Sequence, residues 1–333
     1  DTLVSAVHFP ADAEPADVAS RALNVNLSDF AAMGAVPQWL TLALTLPDND
    51  EQWLSKFSAS LARGCAKYGV SLVGGDTTRG PLTVTFTVMG VPATARTSVA
   101  SDDPSFTVPS LDGAHCLCRS GAQTGDEVWV SGSLGKGAAA LQMITQNHSA
   151  RAAWPLTDRQ RENLHAAFYA PVPQLGLGKA LVGVANAAID VSDGLLADAG
   201  HLASQSKVML ELNGDALPMH PALASLSDVA LAREWMLSGG DDYELLFTVP
   251  KKDHDKVISE QTCETCGQRF ANADNLKWHQ KTVHVDSQFS CKHCGKNFKL
   301  QVYLKNHLWI VHSEGDGPIY TCEQCGKTYK VFE

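Results

Sequence analysis

The sequence predicts an α/β body followed by small cysteine-histidine modules, and three observations carry that prediction. Apolar stretches of helical and of strand-like period alternate through residues 1–250. The same stretch is acidic, with 26 Asp and Glu against 14 Lys and Arg, whereas residues 251–333 hold 10 and 12. Six of the nine cysteines fall in the last 71 residues. A chain of 333 residues accommodates one large core plus small modules, and the seam lies near residue 255.

Residues 16–35 space Val18, Ala22, Val25 and Ala32 at helical intervals, which predicts an amphipathic helix stopped by Gly34 and Pro37. WLTLALTLP at 39–47 is short, apolar and ended by proline, as a buried strand would be. Residues 51–68 read as helix, and Cys65 within them as a small core residue. GVSLVGGDTTRG then gives a strand running into a glycine-rich loop, and 82–90 alternates as a strand. There follow strand 127–131, helix 134–146, helix 174–186, strand 187–191, helix 194–206, strand 208–213, and strand 244–249 behind the loop SGGDDY. Residues 92–115, rich in Pro, Ser, Thr and Asp without periodicity, read as an insertion, either disordered or a lid.

Several function classes recede at once. No segment resembles a signal peptide, and no apolar run approaches the roughly 18–20 residues of a membrane span. An intracellular, reducing setting makes the clustered cysteines metal ligands rather than disulfides. The acidic body argues against general nucleic-acid binding by that part. The chain opens on Asp1 inside what reads as a motif, as a fragment or an imperfect gene model would.

Five segments set carboxylates beside small residues at element ends: DTLVSAVHF (1–9), NLSDFAAMGA (26–35), GGDTTRG (74–80), IDVSDGLLAD (189–198) and SGGDDYELLF (238–247). Singly, each Asp reads as a turn former or helix cap. Mg²⁺, however, is held by one or two carboxylates plus substrate phosphates, so the set points to a multi-Mg²⁺ phosphate site. No Ser-His or Cys-His pairing suggests a covalent nucleophile.

In this order, DTLVSAVHF, VNLSDFAAMGA, GGDTT, RSGAQTGDEVWVSG, AAIDVSDGLLAD and SGGDDYELLFT resemble the thiamine-monophosphate kinases, over about residues 1–93 and 116–250. The resemblance implies the two-subdomain aminoimidazole-ribonucleotide-synthetase-like fold, here 1–125 and 126–255, and a homodimer formed through the N-terminal sheets. It implies ATP-dependent phosphorylation of thiamine monophosphate to thiamine diphosphate, in the cytoplasm. Asp1, Asp29, Asp76, Asp190 and Asp193 would hold Mg²⁺ and phosphate, with Asp193 and Arg119 at the reacting group and Arg119 as a phosphate clamp. Gly74, Gly75 and Thr77 would shape the nucleotide loop, Ser192 would sit beside the metal loop, and His8 and Phe9 would lie near the thiamine phosphate. The chain departs from the family in its N-terminal acidic segment, in the insertion after residue 93 and in the stretch beyond Pro250. Those departures lead to an expectation of weak turnover.

Cys263-x2-Cys266-x12-His279-x4-His284 and Cys291-x2-Cys294-x12-His307-x4-His312 repeat one spacing, which supplies Zn²⁺ with four tetrahedral ligands twice. Phe270 with Leu276 and Phe298 with Leu304 fall where such a module builds its core. These stretches, 261–284 and 289–312, resemble ββα Cys2His2 zinc fingers; Cys322 and Cys325 begin a third, at 320–333, that is expected to be incomplete. By that resemblance the base-reading positions would be Asn272, Asn275, Trp278, Leu300, Tyr303 and Asn306. No arginine is placed to read guanine, so both a nucleic-acid partner, with a nuclear location, and a protein partner stay open.

Overall fold

The computed structural model describes residues 1–93, 96–98, 108–110, 116–145, 154, 156–226, 228–257, 261–262, 269–270, 289–294, 297–298, 319–321 and 328–330. They fall in two compact units, Asp1–Ile258 and Ser259–Glu333.

The first unit opens with β1 (Thr2–Val4), α1 (Pro15–Ala32), β2 (Ala35–Leu46), α2 (Glu51–Tyr68), β3 (Ser71–Arg79) and β4 (Thr83–Pro92). The strands form one sheet in the order β1-β4-β2-β3, antiparallel except for the parallel β2–β3 pair. Leu3, Leu40, Leu44, Val84 and Phe86 turn to one face and join the core with residues of α1 and α2. On the other face Trp39 (43%) and Met89 (38%) stay exposed, and every residue of the edge strand β3 is exposed.

Proline at its first turn and Gly34 (φ +62) beyond its end bound α1. The amphipathic reading of this helix falls short. Arg21, Asn24, Asn26 and Ser28 are buried along with its apolar residues, and each is hydrogen-bonded, so the helix is central rather than superficial.

β5 (Arg96–Ser98) and β6 (Val108–Ser110) pair antiparallel, so part of the supposedly disordered insertion is a ladder; 94–95, 99–107 and 111–115 lie outside the described residues. The second half holds β7 (Asp126–Val130), α3 (Lys136–Thr145), α4 (Asp158–Tyr169), α5 (Leu175–Leu181), β8 (Ala187–Asp190), α6 (Leu195–Ser206), α7 (Val229–Ser238) and β9 (Leu245–Pro250). Its sheet runs β7-β9-β8, all antiparallel. Ala188, Leu245 and Phe247 pack with Leu177 and Leu181 of α5, while Ile189 and Leu246 reach the main core on the other side.

Three expectations are corrected. Helix 174–186 ends at Leu181, where Val182 turns to extended backbone. Residues 208–213 form no strand; Val208, Leu210 and Leu212 pack against the core without a ladder partner. GGDTT is not a loop, since Gly74, Gly75, Asp76 and Thr77 all lie within β3. Among the described residues no helix is long and apolar enough to cross a membrane.

Among the described residues of the second unit three short antiparallel pairs recur: Gln261–Thr262 with Arg269–Phe270, Phe289–Ser290 with Asn297–Phe298, and Ile319–Thr321 with Thr328–Lys330.

Candidate phosphate and metal site

β8 ends on Asp190, which is 5% exposed and accepts a 2.7 Å hydrogen bond from Ser28 Oγ of α1. Burial pushes its carboxyl up; the Ser28 hydroxyl, its own amide and Arg119 pull the other way, and Asp193 adds to the rise. The next residue of α1, Asp29, is accessible to solvent. It too is raised, first by the protein packed around it and then by Asp190, against the Asp1 ammonium and Arg119. A buried and an accessible carboxylate thus share one crevice and resist joint ionisation.

Asp193 lies in the turn between β8 and α6. Asp198, in the first turn of α6, fixes that turn by accepting the amides of Ser192 and Asp193 at 3.0 Å each. Asp198 stands in IDVSDGLLAD, five residues after Asp193, where position alone does not set it apart from an ordinary helix residue. Gly194 (φ +113) opens α6; a Cβ there would meet the Ser238 backbone at 2.9 Å.

Arg119 is exposed, and among the described residues no carboxylate lies within ion-pair distance of it. Its carbonyl accepts from Ser206 Oγ, which in turn accepts the amides of Gly121 and Ala122. The arginine therefore projects from a fixed turn with its fork unspent, as a phosphate ligand requires.

The other expected residues are placed differently. His8 is exposed, its Nδ1 accepting the Val4 amide at 3.0 Å, whereas Phe9 (3% exposed) belongs to the core. Asp76 accepts the Thr77 amide on the outer face of β3. Thr2, Thr85, Ala43 and Asp76 stand in one register row across the sheet. Three strand spacings put Asp76 about 14 Å from Thr2. Leu3 points inward, so Asp1 does as well, and Asp76 faces the opposite side. A single chain therefore brings Asp29, Asp190, Asp193 and Arg119 together, and not Asp76. Gly75 (φ +149) is required for another reason than phosphate: a Cβ there would sit 1.8 Å from the Leu42 carbonyl of its own sheet.

Among the described residues no three His, Cys, Asp or Glu side chains gather closely enough to hold a metal by themselves. The donors still suit Mg²⁺, which needs only one or two hard carboxylates when phosphate completes its shell. In the second unit Cys291 is buried and Cys294 exposed, both just after Ser290 in the turn of one hairpin. Cys263, Cys266, His279, His284, His307 and His312 lie outside the described residues, as do Cys322, Cys325 and the six base-reading positions.

Residues 1–92 match the family described as AIR synthase related protein, N-terminal domain, and residues 261–284 and 289–312 match the zinc finger, C2H2 type. Fold and carboxylate crevice thus define an AIR-synthase-related α/β protein carrying zinc fingers. The thiamine-monophosphate kinase of Haemophilus influenzae is 40% identical over 77% of this chain and 71% of its own length. That of Salmonella typhimurium is 44% identical over 75% of this chain and 70% of its own. A crystal structure of the Stenotrophomonas maltophilia thiamine-monophosphate kinase superposes with TM-score 0.66 at 40% identity, covering 77% of this chain and 74% of that one. AaThiL complexed with AMPPCP and TMP superposes at 0.63 with 29% identity, covering 76% and 74%. The chain belongs to the thiamine-monophosphate kinase family.

Proposed function

We propose that the chain transfers the γ-phosphoryl group of ATP to the phosphate of thiamine monophosphate, giving thiamine diphosphate and ADP. The observation that carries this reading is the Asp29–Asp190 crevice with Arg119 poised beside it, in a relative of proteins that carry that name. The AaThiL complex with an ATP analogue and TMP is the fold's precedent for both ligands. A phosphate oxygen of the acceptor attacks the γ-phosphorus in line, the bond to the β-phosphate oxygen breaks, and ADP leaves. Asp29, Asp190 and Asp193 would hold Mg²⁺, which supplies charge neutralisation across the transferred group. Arg119 offers its fixed charge to phosphate oxygens, Asp198 and Ser28 hold the acidic residues in place, and His8 faces solvent where the acceptor would enter.

We further propose that a second copy covers the exposed face of the first sheet and its edge strand. Apolar Trp39 and Met89 pair across that face, Leu72 and Val73 are exposed on the edge strand, and among the described residues the outer side of nine-residue β3 has no ladder partner. Asp76 points into that face, so it serves the crevice of the partner rather than its own. Coexpressing Asp76→Asn with Asp190→Asn tests both parts while thiamine diphosphate and ADP are followed together. Mixed dimers retain one intact site, so activity should recover to about a quarter of wild type. Absence of thiamine diphosphate from the wild type would defeat the kinase reading, and no recovery in the mixture would defeat the shared site.

The zinc fingers bind zinc in this reading through Cys263, Cys266, His279 and His284, and through Cys291, Cys294, His307 and His312.

A further inference from the structure

We propose that Arg21 is a positioning residue for phosphoryl transfer, clamping the loop 238–244 and, through it, the turn that carries Asp190 and Asp193 onto the helix that carries Asp29. The proposal rests on the crevice being the Mg²⁺-ATP site.

Arg21 lies in the middle of α1 with its side chain 5% exposed. Its Nη2 donates to both carboxylate oxygens of Asp241 at 2.9 Å, Nη1 to the Phe168 carbonyl at 2.7 Å and Nε to the His8 carbonyl at 3.1 Å. The guanidinium also lies 3.9 Å from the Phe168 ring centroid. One side chain thus ties the His8 segment, α4 and the loop before β9 to one point.

The loop it grips is strained. Asp241 (φ 65) and Tyr243 (φ 50) are both left-handed without being glycine, a conformation that persists only when the surroundings enforce it. Tyr243 Oη donates to Asp241 Oδ1 at 2.8 Å, adding to the hold on that carboxylate. The strained loop is laced to the acidic turn by backbone bonds: Asp241 N to Ser192 O and Tyr243 N to Val191 O at 2.8 Å, and Val191 N to Glu244 O at 2.7 Å. Gly240 leaves no room between them, since a Cβ there would stand 2.5 Å from the Ser192 carbonyl.

α1 then closes the circuit. Ser28 lies seven residues beyond Arg21, nearly two turns, so both project from one face about 10 Å apart along the axis. Ser28 holds Asp190 at one end of the acidic turn, and Arg21 holds its buttress at the other. Stability alone does not call for this arrangement, because a buried ion pair gains little over an apolar pair of the same volume. What the pair adds is registry between Asp29 and the turn, and misplacement by about 1 Å can cost on the order of a hundredfold in rate.

The test uses the full chain as Arg21→Met and Arg21→Lys, with ATP binding titrated at stepped Mg²⁺ and turnover measured beside it. Arg21→Met should raise the Mg²⁺ midpoint and lower kcat by on the order of a hundredfold, with Arg21→Lys, which keeps the charge but not the fork, between it and wild type. A folded Arg21→Met with the wild-type Mg²⁺ midpoint and kcat would overturn the proposal, leaving only a structural ion pair. Should Arg21→Met fail to fold, Asp241→Asn keeps the shape and loses the charge, and the same two outcomes apply. Wild-type chain that binds ATP without regard to Mg²⁺ would instead overturn the site reading beneath it.

Discussion

Asp242 and His220 carry opposite pH dependences into one corner of the fold. Asp242, 1% exposed, accepts the amides of Gly135 and Gly137 at the start of α3, yet burial pushes it up from 3.8 to about 6. The two amides and Lys136 oppose that rise, and Glu244 adds to it. His220 is lowered from 6.5 to about 4, by burial first, then Lys136, against Glu244. A raised carboxyl gives stability that is complete below its unfolded value and is lost as pH rises through about 6. A lowered imidazole gives stability that is complete above 6.5 and is lost as pH falls through about 4. The slopes oppose between those values. Thermal melts should therefore show stability rising more steeply with pH in Asp242→Asn and falling more steeply in His220→Gln. Parallel profiles for both variants would refute the assignment.

Residues also show where reading the sequence stops. Asp29, Asp190, Asp193 and Arg119 announce themselves through short acidic and basic motifs, and folding brings all four together. Arg21 gives no such signal, because its partner Asp241 lies 220 positions away and one arginine among the polar residues of a helix resembles a surface residue. Asp198 lies within an acidic motif, yet an aspartate in a helix's first turn is ordinary in any sequence.

Elements were legible where their ends carry their own chemistry. α2 begins at Asp50, whose carboxylate accepts the Trp53 amide, and ends at left-handed Gly69 (φ 68); both residues mark its bounds in the bare sequence. β3 misleads because two glycines suggest a loop, whereas Gly75 serves close backbone approach to Leu42 inside a parallel pair. VMLELN at 208–213 alternates like a strand but finds no neighbouring edge, which no local pattern reveals. Gly75→Ala should accordingly detach β3 and cost about 1–3 kcal/mol or more, read as a lower melting temperature. A melting temperature equal to wild type would mean that the close contact is not required. Trp39→Glu and Met89→Glu, which pair across the exposed face, should shift sedimentation from dimer to monomer while leaving the far-ultraviolet circular dichroism unchanged. Persistence of the dimer would move the interface elsewhere.

At the scale of the molecule, an acidic enzyme unit and a basic-leaning finger unit share a chain; the composition changes near residue 255, and the two compact units meet at Ile258 and Ser259. The match of two finger segments, 261–284 and 289–312, leads to a prediction of two zinc ions per chain by elemental analysis. A value near zero after dialysis without chelator would contradict it. In the proposed function, Mg²⁺ and phosphate meet in the crevice between α1 and β8. Its raised carboxyls must lose their protons before a cation binds, so affinity should climb with pH. Calorimetric titration of the full chain with ATP, with and without Mg²⁺, against Asp29→Asn and Asp190→Asn, measures this most directly. Binding should depend on Mg²⁺, tighten at higher pH and weaken by on the order of a hundredfold in either variant; Mg²⁺-dependent affinity that survives both substitutions unchanged would place the metal elsewhere.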